Sequence, residues 1–260
     1  MLKILKYTLY DMLRSRWSIS YFLFFLAAGF VLLHLSSDLT KAISSLMNIT
    51  LILTPLIGTL FGVIHFYNSR EFLELLLAQP LKRKSIFMGM YLGLSLSLSL
   101  SYLLGLGIPF ILYGILVSAQ VFNFITLLGT GFALTMIFSG IALWIAIRQE
   151  NRLKGFGLSI MVWLFLAFVY DGLFLLSLLL FEEYPLEKAS IAMSVFNPID
   201  LSRILVMLQL DISALMGYTG AVFEKFFGTG LGMGVSVLAL IVWIIVPVLF
   251  QLRAASRKDF

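Results

Sequence analysis

Apolar residues fall in long blocks along this chain, and polar ones gather in the stretches between them. Six blocks reach the roughly 20 residues that an α-helix needs to cross a bilayer. They run from about Ser18 to Leu35, Ser45 to Tyr67, Ile86 to Val117, Phe124 to Ile147, Gly155 to Leu180 and Leu231 to Leu252. The pattern predicts an all-α membrane protein, a single domain over residues 1–260 with six transmembrane helices. Pro55 in the second block and Pro109 in the third are expected to bend their helices. In the third block Gly89, Gly93, Ser97 and Ser101 recur every four positions, a small-residue face suited to close helix packing.

Three segments mix the two kinds of residue. In residues 2–16, Leu2, Leu5, Leu9, Met12 and Leu13 recur at helical spacing while Lys3, Lys6, Asp11 and Arg14 fall elsewhere. That suits a helix lying in the membrane interface with its basic side toward anionic headgroups. No small-residue cleavage site follows, so it does not read as a signal peptide. Residues 68–85, NSREFLELLLAQPLKRKS, hold a short amphipathic helix from Glu71 to Ala78, with Phe72, Leu75 and Leu76 on one side and Pro80 ending it. It either rests on headgroups or docks in a groove on a soluble partner. Glu71 and Glu74 on an otherwise basic face favour docking, since anionic lipid repels them. Residues 182–230 predict an amphipathic helix starting at an Asn197 N-cap with Pro198 in the first turn. Leu201, Ile204, Leu205, Leu208 and Ile212 form its stripe, with Asp200, Arg203 and Asp211 off it, and it is expected to lie on or dip into the outer leaflet.

Composition sharpens this picture. Of the 260 residues 61% are hydrophobic and 12% charged, with a mean hydropathy of +1.04. Soluble domains carry roughly 25% charged residues. Fourteen of the 18 Lys and Arg lie at one set of span ends, and the exceptions are Lys41, Lys188, Arg203 and Lys225. The basic side is expected to be cytoplasmic, with both termini there. The formal charge of +5 then reflects cationic loops, not a nucleic-acid partner.

Little of the chain offers chemistry. There is no cysteine and there are two histidines, His34 and His65, which excludes thiolate sites and histidine metal clusters. Both read as hydrogen-bonded residues near span ends. Met193, Met207, Met216 and Met233 are soft atoms suited to Cu(I), yet their spacing matches no ligand motif and methionine is a common packing residue; no metal site is assigned. Asp171, inside the fifth block, is either a structural carboxylate bonded to a neighbouring helix or to Tyr170, or part of a substrate or ion path. No G-x-x-x-x-G-K-[ST] occurs, so the chain cannot cradle nucleotide phosphates by a P-loop. Ser139-Gly140 lacks the first glycine of a rhomboid motif, and Glu182-Glu183 stand at a membrane edge with no histidine beside them. An enzyme is not expected.

The loop after the second block, R-x-x-x-E-L-L-L-A-x-P carried by Arg70, Glu74, Leu75, Leu76, Leu77, Ala78 and Pro80, resembles permease subunits of the ABC type-2 exporter family. An interfacial elbow helix and six spans fit the same family. LELLLAQPLKR, Tyr170-Asp171 and NPIDLSRIL (197–205) look closest to permeases of the copper-processing ABC system for nitrous-oxide reductase maturation. The resemblance implies an elbow helix over 2–16. It also implies a coupling helix in which Arg70, Glu71, Phe72, Glu74, Leu75, Leu76, Ala78 and Pro80 meet a cytoplasmic ABC ATPase. Outer gate helices containing Asn197, Pro198, Asp200 and Arg203 are implied as well. On that reading the permease is a homodimer that binds no cofactor, with ATP and Mg on the partner. Membrane lipid surrounds it, and a periplasmic accessory protein can contact its outer segment. The alternative is a secondary transporter or scaffold without an ATPase, but such transporters usually show internal repeats, and none is visible.

Overall fold

The computed structural model describes residues 1–36, 38–181, 187–210, 226 and 230–257. Among these, regular structure is all helical. Helix α1 spans Leu2–Arg14, α2 Arg16–Leu35, α3 Leu39–Asn68, α4 Arg70–Leu77, α5 Arg83–Leu112 and α6 Val121–Arg148. Then come α7 Arg152–Leu164, α8 Tyr170–Leu180, α9 Glu187–Phe196, α10 Pro198–Gln209 and α11 Gly230–Arg257. A five-residue π turn, Phe165–Val169, joins α7 to α8. The six segments α2, α3, α5, α6, α7–α8 and α11 are long and apolar enough to cross a membrane.

Local chemistry moved several boundaries from their expected places. Asp38 caps α3 by accepting from the Thr40 amide at 3.1 Å, so Thr40 and Lys41 join the second span, which starts at Leu39 instead of Ser45. The third span stops at Leu112, short of Val117. Gly114 adopts φ 82°, a left-handed turn that a side chain would resist, and only a short 3-10 turn, Ile115–Val117, follows. Helices α3 and α5 run on through Pro55 and Pro109.

Helix α6 is the axis of the fold, with 89% of its apolar window buried; α3, α5, α10 and α11 all pack against it. Hydrogen bonds to backbone fix the α5–α6 crossing. Tyr102 Oη donates to the Leu127 carbonyl at 3.0 Å, and Tyr91 Oη to the Met136 carbonyl at 3.2 Å. Inside a bilayer such hydroxyls have no water to turn to, so each bond locks one helix at one depth. A Cβ at Gly131 would fall within the Tyr102 ring, and Tyr102 is fully buried. Gly131→Ala should therefore cost about 2–3 kcal/mol by overpacking, measured as a lowered unfolding temperature in detergent. An unchanged midpoint would mean that the α5–α6 contact is looser than described.

The small-residue face of α5 receives α1 and α2. A Cβ at Gly93 would stand 2.6 Å from Thr8 Cβ, and Ser18 and Ser101 share a 2.9 Å hydrogen bond. Thr8 and Met12 are the buried residues of α1, so its contact line is centred on Thr8 and not only on the leucine stripe. Spans α7–α8 and α11 keep 6% and 22% of their windows buried, leaving broad apolar flanks.

Candidate functional site

The chain gathers its polar residues at two places. The first is the end of the bundle where the basic segments meet. Tyr67, in the last turn of α3, donates to the carbonyls of Gln149 and Asn151 at 3.0 and 3.3 Å, tying the α3–α4 corner to the α6–α7 corner. Helix α4 projects there. Its eight residues run Arg70–Leu77, one residue earlier at each end than the Glu71–Ala78 expected, and Ala78 is its C-cap. Arg70 Nε and Glu74 Oε1 pair at 3.2 Å on the surface, so each is engaged within the helix itself. Glu71, Ala78 and Pro80 are exposed.

The faces of α4 differ from the expected ones. Leu73 is the buried residue, 2% exposed, with Leu76 and Leu77 half-buried beside it, whereas Phe72 is 38% and Leu75 68% exposed. The rotation has a local cause. Phe72 lies against Tyr7 of α1, with ring centroids 5.0 Å apart, which leaves Leu73 to anchor the helix. An apolar pair, Phe72 and Leu75, is thus presented beside an acidic one.

The second place lies at the other end of the fifth span. Helices α9 and α10 meet at 113°, as in a broken span or re-entrant loop, and α10 begins at the expected Asn197 cap. Asn197 stands at the bend and is fully buried. Its Oδ1 accepts from the Ile199 amide at 3.1 Å, capping α10. Its Nδ2 donates to Asp200 Oδ2 at 2.9 Å and to the Leu166 carbonyl at 2.8 Å. Leu166 belongs to the π turn, a distortion that changes the helix's own hydrogen-bond ladder. Pro198 follows as the first helical residue.

Arg203 completes the cluster. Its Nη1 reaches Asp171 Oδ2 at 2.7 Å and Asp200 Oδ1 at 3.1 Å. Asp200, placed off the buried stripe from spacing alone, is only 6% exposed, because the bend turns it inward onto Arg203 and Asn197. Asp171 is a bonded carboxylate whose partner is Arg203. The Tyr170 hydroxyl goes instead to the Met193 carbonyl at 2.6 Å. Four residues singled out separately, Asp171, Asn197, Asp200 and Arg203, so form one network. Sequence reasoning missed Leu166 and Trp243, whose indole donates to the Val195 carbonyl at 3.0 Å; these bonds depend on the bend and leave no local pattern.

The methionines divide. Met193 Sδ accepts from Ser177 at 3.6 Å, while Met233 lines an apolar cavity of about 360 Å3 between α6, α10 and α11. Met216, Asp211, Ile212, Glu182-Glu183, Lys225 and Lys258 lie outside the described residues, as does the placement of the Lys188 side chain.

No family model matches the chain. Curated relatives do. A probable ABC transporter permease protein NosY of Stutzerimonas stutzeri is 29% identical over 244 residues, covering 86% of this chain and 82% of that protein. Another probable ABC transporter permease protein NosY, from Pseudomonas aeruginosa, is 26% identical over 227 residues, covering 80% and 81%. By these likenesses the chain resembles ABC transporter permeases of the NosY kind. Both alignments are long enough to take in most of the spans. The chain's six long, apolar helices fit a multi-pass membrane protein.

Proposed function

We propose that this permease is the membrane half of an ATP-driven system in which α4 docks on a cytoplasmic ABC ATPase subunit. The observation that carries the proposal is the outward aim of Leu75 at the basic end of the bundle, beside the part of Phe72 that Tyr7 leaves exposed. Apolar side chains rimmed by Glu71 and Glu74 suit a groove on a protein better than an anionic lipid surface. Positive charge concentrated at that end supports a cytoplasmic placement with both termini inside. The partner supplies the P-loop, ATP and Mg that the permease lacks.

A stroke on α4 has two routes into the membrane. Ser69 joins α4 to α3, its amide donating to the His65 carbonyl at 3.0 Å, and the Phe72–Tyr7 contact reaches α1. Helix α3 lies along α6, and α6 along α10, which brings the motion to the bent pair. There the Asp171–Arg203–Asp200 network holds α10 to the fifth span. The exposed flanks of α2, α7–α8 and α11 leave room for a second copy of the chain, and a homodimer would set two α4 helices over an ATPase dimer. On the NosY-like reading the system serves copper or sulfur processing for nitrous-oxide reductase maturation. It either passes such a species outward or does mechanical work on a periplasmic partner at the α9–α10 face.

Co-expression with an ABC ATPase subunit from the same organism tests the proposal. A tagged permease should retain that subunit through purification, in equal numbers of copies, and nanodisc reconstitution should change its ATP hydrolysis severalfold. A permease purified alone under conditions that keep the ATPase soluble would refute the docking role.

A further inference from the structure

Beneath α4, where α1, α2 and α3 converge, lies a cavity of about 270 Å3. Four aromatic rings line it: Tyr7, Trp17, Phe61 and Phe72. They stand as two pairs, Tyr7 with Phe72 at 5.0 Å and Trp17 with Phe61 at 6.1 Å between centroids. Asp11 and His65 also line the cavity. Asp11 is its sole acidic lining residue among those described, and Lys and Arg are absent from the lining.

Ring faces carry negative quadrupole charge and attract an organic cation, most strongly when water is excluded. A carboxylate among them adds a counter-charge. The cavity sits between the α1–α2 turn and the end of α3, at the limits of two spans, which is headgroup depth in a bilayer. It falls just under the roughly 300 Å3 at which pockets for whole small molecules begin. That size suits a headgroup and not an entire lipid.

We infer that this cavity binds the ammonium headgroup of an aminophospholipid, phosphatidylethanolamine, with Asp11 as counter-ion and the Tyr7–Phe72 and Trp17–Phe61 pairs as its walls. The site joins the elbow helix to α4, so an occupied cavity braces α4 from below. The inference rests on the six-span reading and not on ATPase docking; α4 could fail to bind any ATPase and the headgroup site would stand.

Native mass spectrometry of the delipidated permease, titrated separately with dioleoyl phosphatidylethanolamine and dioleoyl phosphatidylglycerol, tests it. The unmodified chain should retain the ethanolamine lipid at least fivefold over the glycerol lipid. Asp11→Asn should erase that preference while leaving the unfolding temperature in detergent unchanged, since Asp11 is exposed at the cavity mouth. Tyr7→Leu should weaken retention as well, with Tyr10→Leu as the control that does not. Equal retention of both lipids, or a preference surviving Asp11→Asn, would overturn the proposal. So would free phosphoethanolamine binding the delipidated permease as tightly as the intact lipid does, which would assign the cavity to a soluble amine.

Discussion

Replacing Leu75 with aspartate should abolish coupling to the ATPase while the permease still folds and inserts. Leu75 is 68% exposed, and substitutions at such positions usually shift stability by under about 0.5 kcal/mol. At a docked interface the same change buries a charge against an apolar groove. Disrupting a central anchor of an interface costs about 2 kcal/mol or more, a roughly 30-fold weakening of affinity. Permease-dependent ATP hydrolysis in nanodiscs, followed together with the unfolding temperature, separates these two effects. Leu73→Ala is the counterpart: Leu73 is buried, so this change should lower stability by about 2–4 kcal/mol and damage coupling only through the fold. If Leu75→Asp left ATPase stimulation intact, the exposed face of α4 would not be the docking face.

Removing Arg203 should loosen the end of the molecule where α9 and α10 meet. Its guanidinium is the cation that Asp171 and Asp200 share. Arg203→Leu would leave two carboxylates facing each other across a partly buried gap. Breaking a fully buried pair costs about 3–5 kcal/mol; here the Arg203 and Asp171 side chains remain 27% and 28% exposed, so about 2 kcal/mol is expected. Arg203→Lys should recover only part, because one ammonium cannot repeat the fork of a guanidinium. Adding Asp171→Leu to Arg203→Leu should also recover part, by removing one of the stranded charges. Faster hydrogen exchange across Pro198–Gln209 would localise the effect. Unchanged exchange there in Arg203→Leu would mean that Asn197 alone holds α10 in place.

Much of the architecture was legible because lipid imposes a simple rule. A segment crossing a bilayer satisfies its own backbone and shows apolar side chains, so blocks of hydrophobic residues mark spans whatever their neighbours do. Their ends were less legible where one residue decided them, as Asp38 does for α3 and Gly114 after α5. The face of α4 was ambiguous for a different reason. Phe72, Leu73, Leu75, Leu76 and Leu77 leave a helix this short apolar on more than one side, and only Tyr7, far earlier in the chain, settles which side turns in. The Asp171–Arg203–Asp200 network was half legible. The Asp200–Arg203 spacing and the Asn197 cap are local, whereas the reach from Arg203 to Asp171 depends on the sharp corner between α9 and α10. The π turn at FLAFV contains neither Gly nor Pro, and nothing in its composition announced it.

That wide turn sets a direction for everything after it. Each residue in an α-helix advances the side chains by about 100° around the axis, so the additional member of the ladder works like a rotary offset on α8. With it, Asp171 points at Arg203; one residue fewer would swing the carboxylate by about 100° off that line. A single slack in the backbone thereby decides whether the charge in the last third of the fifth span meets its counter-ion.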